Sequence, residues 1–355
     1  MRASLQSIAT ALGLSAATVS NVYNRPELVA EQTRQRVLRE AARVGYHGPD
    51  PAARHLRRGR TDTIGLLLTD ELPFAFSDQA AVGFLAGVAE ACAWSGHNLV
   101  LLPAGAPDQP QRTSSIRTAS MDGLIVYSVA DDDPHLRAAC DRGLPVTVVD
   151  QPAAGPDWDW VGPDDRAAAQ GVGQLMGEAG HRRIGVITAR LSGRRRNGPV
   201  MDLAGSTYYL RRQRIEGFRA AVAAFGVEAA QVPVEERFES SERAGAEALS
   251  AILARHPDLT AVFCLSDVLA LGALARAREL GLDVPGDLSV VGFDDIPQAS
   301  AAGLTTVHQP LSAKGRVAGE FLVRRLQRAD DASLIRHHTL STVLQVRRSL
   351  SAPGR

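Results

Sequence analysis

Residues 15–24, Ser15-Ala16-Ala17-Thr18-Val19-Ser20-Asn21-Val22-Tyr23-Asn24, combine side chains that can read nucleic-acid base edges with a spacing that presents them together. If Val19 and Val22 point inward on a helix, Ala16, Ala17, Ser20 and Asn21 are left for its outer face. An asparagine amide pairs with adenine N6 and N7, and alanine methyls sit against thymine methyls. The charge beside this stretch fits a polyanion: residues 1–60 hold ten arginines and four acidic residues, a net of +6, so the rest of the formally neutral chain carries −6.

Positioning such a face takes few elements. Ser4 is placed to cap a helix with Leu5, Ile8, Ala9 and Leu12 at helical spacing, and Gly13 breaks it. Ser15 caps a second helix, which Asn24-Arg25-Pro26 ends. A third covers about 31–44, with Val37, Leu38, Ala41 and Val44 inward and Gly45 as its stop. Two helices across a tight glycine turn form a helix-turn-helix, whose second helix fits the major groove. A small three-helix core with no DNA role is the bland alternative, and the adjacent basic charge argues against it. Asp50-Pro51 then signals a short helix over 52–58, too short to be stable alone in water.

From Thr63 the pattern changes. Short apolar runs at 64–68, 99–102, 123–127 and 146–150 alternate with helical stretches, and the alternation restarts after Gly162 with runs at 184–187, 261–265 and 290–293. Continuous apolar strands between helices mean parallel sheets covered on both faces, here in two lobes. Ligands in such sheets bind at the carboxyl ends of the strands, so a cleft between the lobes is the expected binding site.

Other chemistry is poorly supported. Gly171-Val172-Gly173-Gln174-Leu175-Met176-Gly177 looks like a dinucleotide loop, but it sits inside a helical stretch and its spacing is one residue too long. His337-His338 has no second ligand cluster, and Cys92, Cys140 and Cys264 lie far apart. No nucleophile elbow or phosphate loop occurs, so no enzyme, cofactor or metal is expected. With 45% hydrophobic and 22% charged residues and no long apolar run, a soluble chain of two or three domains without a membrane span is expected. The amino terminus lacks the apolar core of a signal peptide.

The segment L-S-A-A-T-V-S-N-V-Y-N closely resembles the head of the LacI/GalR family of bacterial regulators. The likeness continues through V-A-E-Q-T-R-Q-R-V-L-R-E-A-A-R-V-G-Y and P-A-A-R-H-L-R-R-G-R-T-D-T-I-G, and resumes at G-H-R-R-I-G-V-I, L-S-V-V-G-F-D-D-I and L-Q-V-R-R-S. It implies an α/β fold with an N-terminal all-α helix-turn-helix head and a two-lobed effector domain, similar to periplasmic binding proteins, with parallel sheets. It further implies a cytoplasmic homodimer on double-stranded, palindromic operator DNA, acting as a repressor under a small-molecule effector, here expected to be a sugar. A solute-binding protein without a DNA role is the alternative.

By the same resemblance, Ser4, Ser15, Ala16, Ala17, Thr18, Ser20, Asn21 and Asn24 are DNA-binding residues, joined by Arg54, Leu56 and Arg57 of a minor-groove hinge in which Leu56 is the wedge. Phe74, Phe76, Tyr127, Asp150, Arg214, Phe238, Ser266 and Asp294 come to the effector cleft. Carboxylates and an arginine suit hydroxyl-rich ligands, and aromatic rings offer a face for stacking. Asp267 and Asp295 are expected to cap helices or tie the lobes.

Three departures from the family stand out. Asn21 replaces a frequent arginine, Ala30 replaces a serine that caps the third helix, and residues 190–211 form a longer, basic loop with Arg194-Arg195-Arg196. Ser266 also stands where asparagine is frequent. The expected domains are 1–47 (head), 48–61 (hinge) and 62–355 (effector domain). Lobe 1 is expected over about 62–160 and 295–308, and lobe 2 over 161–292 and 311–348. The absence of a heptad repeat in residues 346–355 favours a dimer over a tetramer.

Overall fold

Ser4 opens the first helix. Its hydroxyl accepts from Ser7 N at 3.1 Å, while Ser7 Oγ accepts from Ser4 N at 3.0 Å. The computed structural model describes residues 4–48, 59–68, 72–105, 113–152, 155, 157–327 and 335–354. Most of the expected hinge (48–61), including its short helix over 52–58 with Arg54, Leu56 and Arg57, lies outside them, as does the side chain of Phe74. The chain divides into two units, Met1–Thr61 and Asp62–Arg355.

In the first unit, α1 (Leu5–Leu12) ends at Gly13, whose φ of 64° is the left-handed conformation that glycine adopts without strain. α2 (Ala16–Asn24) starts from Ser15, and α3 (Glu31–Arg43) follows a short 3₁₀ turn. Ile8, Ala9, Val19, Val22, Val37 and Ala41 form the core. Leu38, expected inward, is 40% exposed. Val37 and Ala41 are one turn apart and define the covered stripe; position 38 is rotated by about 100° from it. Ala16, expected outward, packs against the core instead.

The second unit has two lobes. In the first, β1 (Thr63–Leu68), β2 (Asn98–Pro103), β3 (Gly123–Tyr127), β4 (Val146–Val149), β5 (Asp159–Pro163) and β12 (His337–Leu340) form a parallel sheet in the order β12-β5-β4-β3-β1-β2. Strand residues alternate between its faces. Ile64, Leu66, Leu68, Ile125 and Val149 meet α5 (Gln79–Ser95) and α13 (Leu311–Gln327). Leu67, Leu124, Val126 and Val148 meet α6 (Ser114–Thr118) and α7 (Pro134–Asp141). A short α4 (Leu72–Ser77) precedes α5. α5 and α13 touch backbone to backbone: a Cβ on Gly315 would lie 2.1 Å from Phe84 O.

The second lobe has the strand order β10-β9-β6-β8-β7, built from β6 (Ile184–Ala189), β7 (Gly198–Pro199), β8 (Val234–Arg237), β9 (Ala261–Cys264) and β10 (Ser289–Val291). Only the edge strand β7 runs antiparallel within it. α8 (Asp165–Glu178) and α9 (Tyr209–Ala223) cover one face, and α10 (Glu242–Arg255) and α11 (Asp267–Glu279) the other. β11 (Thr306–His308) pairs with β13 (Val343–Gln345).

The expected lobe assignment needs correcting on both returning segments. Residues 295–308, expected in lobe 1, belong to lobe 2. Asp267 accepts from Ile296 N at 2.9 Å and Thr306 Oγ1 at 2.6 Å, and Ile296, Leu304 and Ala299 of α12 (Pro297–Ala302) join the core under α11. Of residues 311–348, expected in lobe 2, α13 packs on lobe 1 and β12 pairs with β5 in the lobe-1 sheet. The first boundary lies after Pro163, because β5 pairs within the lobe-1 sheet.

Candidate functional site

On the head, Ala17, Ser20, Asn21 and Asn24 recur at helical spacing and share one face of α2. Ala17 and Asn24 are exposed, Ser20 and Asn21 half-buried. Asn24 Nδ2 donates to Ser20 Oγ at 3.0 Å. Ser15 and Thr18 serve the helix start: Ser15 Oγ accepts from Thr18 N at 3.0 Å and lies 2.8 Å from Thr18 Oγ1. Ser4 caps α1. Ala30 supplies no side-chain cap to α3, whose first turn instead has Glu31 bonded to Arg34 and Gln35.

In the second unit, the carboxyl ends of strands from both lobes converge. Leu68, Tyr127, Ser128 and Asp150 of lobe 1 and Arg190, Leu265, Ser266 and Asp294 of lobe 2 line one cavity of about 110 Å³. Arg214 of α9, Gln309 of the crossover and Lys314 of α13 complete its polar wall. Ser128, Asp150, Asp294 and Asp295 have φ values of 54°, 65°, 120° and 59°. Such backbone is strained for a residue with a side chain and clusters at binding sites.

A chain of short polar contacts runs through this wall. Lys314 Nζ donates to Asp150 Oδ1 and Gln309 Oε1, both at 2.7 Å, and Gln309 Nε2 donates to Asp294 Oδ1 at 2.7 Å. Arg214 donates to Asp165 Oδ1 and Leu265 O, both at 2.7 Å, and its Nη1 lies 3.9 Å from Asp294. Its guanidinium also lies 3.6 Å from the Phe293 ring centre. Burial works against the Arg214 charge, but Asp165 and Asp294 outweigh it and hold the group protonated. Burial pushes the Asp294 carboxyl well above the usual carboxylate range; Asp267 and Asp78 push the same way and Arg214 opposes them. The Tyr127 phenol is likewise raised, by burial first and then by Asp150, Asp78 and Asp294, so it stays a neutral donor. Its ring stacks on Phe84 with centroids 4.1 Å apart.

Of the residues expected in the cleft, Tyr127, Asp150, Arg214, Ser266 and Asp294 line the cavity. Phe76 is 61% exposed and does not line it. Phe238, expected to stack on ligand, is buried elsewhere. Its ring lies 5.4 Å from the Arg190 guanidinium and 4.4 Å from that of Arg195, beside a separate recess with Arg237 and Arg243. The basic loop accounts for this. Glu236 accepts from Leu191 N at 2.7 Å and Asn197 Oδ1 from Phe238 N at 2.7 Å, so the loop folds over the ring. α9 begins at Tyr209, which shortens the loop from the expected 190–211 to 190–208, and the short edge strand β7 interrupts it. Asp267 and Asp295 are structural: Asp267 holds Ile296 N and Thr306, and Asp295 pairs with Arg347 at 2.6 Å.

Lys314, Gln309, Asp165, Arg190 and Ser128 escaped the sequence reading. Ser128 and Arg190 directly follow β3 and β6, so the strand-end rule alone could have found them. Lys314 had no such signal.

Two family descriptions match the chain: bacterial regulatory proteins of the lacI family over residues 4–49 and a periplasmic binding protein-like domain over residues 174–350. The transcriptional regulator IpsA of Corynebacterium glutamicum is 41% identical over 91% of both chains. Among solved structures, a LacI-family regulator from Corynebacterium glutamicum superposes with a TM-score of 0.74 at 37% identity over 98% of both chains. A CelR–cellobiose complex gives 0.70 at 27% identity, over 98% of this chain and 100% of that one. The matched head sets aside a solute-binding protein without a DNA role. Head, lobed fold and relatives agree: the chain belongs to the lacI family of bacterial regulatory proteins, DNA-binding transcription regulators and not enzymes.

Proposed function

We propose that the protein is a repressor that binds a palindromic operator as a homodimer and is controlled by a sugar or related polyol held between the lobes. Asp150, Asp294, Arg214, Ser266 and Tyr127 are its effector-binding residues, and Ala17, Ser20, Asn21 and Asn24 read the bases. The observation that carries the effector reading is the cavity wall, where Asp150, Asp294, Arg214 and Lys314 surround about 110 Å³ at the strand ends of both lobes. Carboxylates and cations paired with one another keep the wall near neutral while leaving many donors and acceptors, which suits uncharged hydroxyls. The similar CelR structure contains cellobiose. Two recognition helices related by a two-fold axis require mirrored half-sites.

The test is selection from random DNA, then titration of the selected operator with a panel of D-glucose, D-galactose, D-ribose, D-mannitol and cellobiose. A palindrome whose affinity shifts with one panel member supports the reading. Single half-sites, or an affinity that no member shifts, would overturn it.

A further inference from the structure

At the strand-start edge of the lobe-1 sheet, the end away from the effector cavity, β4, β5 and β12 gather a second cluster of polar groups. Thr147 and Asp159 are register partners on β4 and β5. Each stands two residues before Val149 or Val161, which pack towards α13, so both side chains face α13 as well. Asp159 is fully buried and fastens β12 through one oxygen: Oδ1 accepts from Arg336 N at 2.8 Å, and Trp160 N donates to Arg336 O at 2.8 Å. Its other oxygen, Oδ2, is buried with no hydrogen-bond partner among the described residues, and so are the Thr147 hydroxyl and Arg325 Nη1 of α13. Arg325 Nη1 lies 3.8 Å from Asp159 Oδ1, and Arg336 Nη1 lies 4.0 Å from Oδ2. Both separations exceed a hydrogen bond by about 1 Å, so the two guanidinium groups balance the carboxylate without bonding to it.

Each buried polar atom left unmade is costly, and three in one place call for a common explanation. We propose that Thr147, Asp159 and Arg325 bind one buried water molecule, which accepts from Arg325 Nη1, donates to Asp159 Oδ2 and exchanges a hydrogen bond with Thr147 Oγ1. One donor, one acceptor and one hydroxyl are a set of three partners, the number a buried water usually takes. Polar groups held beyond direct bonding distance are the setting in which a water bridges. The same set disfavours an ion. An anion would meet the unpartnered oxygen of Asp159, and a cation would meet two guanidinium groups within 4.0 Å of that carboxylate. The water makes α13, β4 and β5 one hydrogen-bonded unit at the point where Asp159 already holds the returning strand β12. It is a structural ligand of lobe 1, and it shares no residue with the effector cavity.

Two measurements on the full chain test this, and the proposal stands only if both agree with it. A high-resolution crystal structure of wild type should show a water within hydrogen-bond distance of Thr147 Oγ1, Asp159 Oδ2 and Arg325 Nη1. A direct Arg325–Asp159 hydrogen bond with no water beside it, or an ion refined at that position, overturns the assignment. Urea unfolding of wild type and Thr147→Val then separates a bonded hydroxyl from an orphaned one by the sign of the change. Valine has nearly the shape of threonine and suits a buried strand, so the variant removes little besides the hydroxyl. If that hydroxyl bonds the water, Thr147→Val should raise the unfolding equilibrium constant about 10-fold, because the water loses a buried partner. If the hydroxyl has no partner, an apolar group of the same shape relieves its desolvation, and the constant should stay unchanged or fall. Either of those last two results overturns the water site.

Discussion

Lys314 and Asp150 are 164 positions apart in the chain, and Lys314 Nζ lies 2.7 Å from Asp150 Oδ1, both side chains buried. The bond joins the last helix of lobe 1 to the end of β4, where Asp150 is held at a φ of 65°. A buried ion pair costs most when only one partner is removed, because the other charge is stranded. Lys314→Met should therefore lower unfolding free energy by about 3–5 kcal/mol. The double change Lys314→Met/Asp150→Asn should recover most of that loss. Urea unfolding of the three proteins checks this, and equal losses in the single and double variants would show that the pair contributes no charge balance.

Asn21→Arg should change the preferred base at one position of each half-site. Asn21 shares the α2 face with Ala17, Ser20 and Asn24. A guanidinium favours guanine O6 and N7 where the amide favours adenine, a difference of about 1–3 kcal/mol per good bidentate contact. The check is the motif selected from random DNA; an unchanged motif would remove Asn21 from the reading face.

Ala30→Ser should stabilise α3. The position precedes Glu31 and contributes no side-chain cap bond, and a serine there typically adds about 1 kcal/mol. Hydrogen exchange in the intact protein should slow at the amides of Gln32 and Thr33, with little change in α1. Unaltered exchange at both would mean that the α3 start is already saturated by Glu31.

The head was legible in the sequence because its signals are local: Ser4, Gly13 and Ser15 punctuate the helices within a few residues of where they act. The strands of the lobes were legible as short apolar runs for the same reason. Which lobe owned the returning segments was not, since that depends on long-range bonds such as Thr306 Oγ1 to Asp267, 39 residues apart. Lys314 was invisible on similar grounds. It sits in an ordinary amphipathic helix, and only the packing of α13 against α5, with Gly315 against Phe84, carries it to the cavity. Phe238 failed differently: its position after β8 was read, but not the two arginines that occupy its ring.

Asp267 predicts a pH effect on stability. Burial raises its carboxyl from 3.8 to about 6, against hydrogen bonds from Thr306 and Ile296 that favour the charged form. The folded protein therefore binds this proton more tightly than the unfolded chain does. Between about pH 4 and 6 the contribution of this group to stability falls as pH rises, and it is constant above that window. Asp267→Asn cannot titrate, so the difference in unfolding free energy between wild type and variant should slope across that window and flatten above it. A difference that is flat from pH 4 to 7 would show that Asp267 titrates alike in both states.

Arg214→Ala and Asp294→Ala should disconnect effector from DNA. The two groups lie 3.9 Å apart in the wall between the lobes, both in the second unit, while the reading face belongs to the first. A ligand shifts a conformational equilibrium only through its different affinity for the two states, and such couplings commonly amount to about 1–3 kcal/mol. Losing a buried, charge-assisted contact to the ligand removes a comparable quantity. Arg214→Ala also leaves Asp165 without its 2.7 Å partner, so it should lower stability more than Asp294→Ala, whose carboxyl is already displaced towards the neutral form. Fluorescence titration of operator with the panel sugar that shifts wild type reads the coupling directly. If that sugar induces, both variants should remain on the operator at concentrations that release wild type; if it acts as a corepressor, neither should tighten. A wild-type response in both variants would place the effector somewhere other than this cavity.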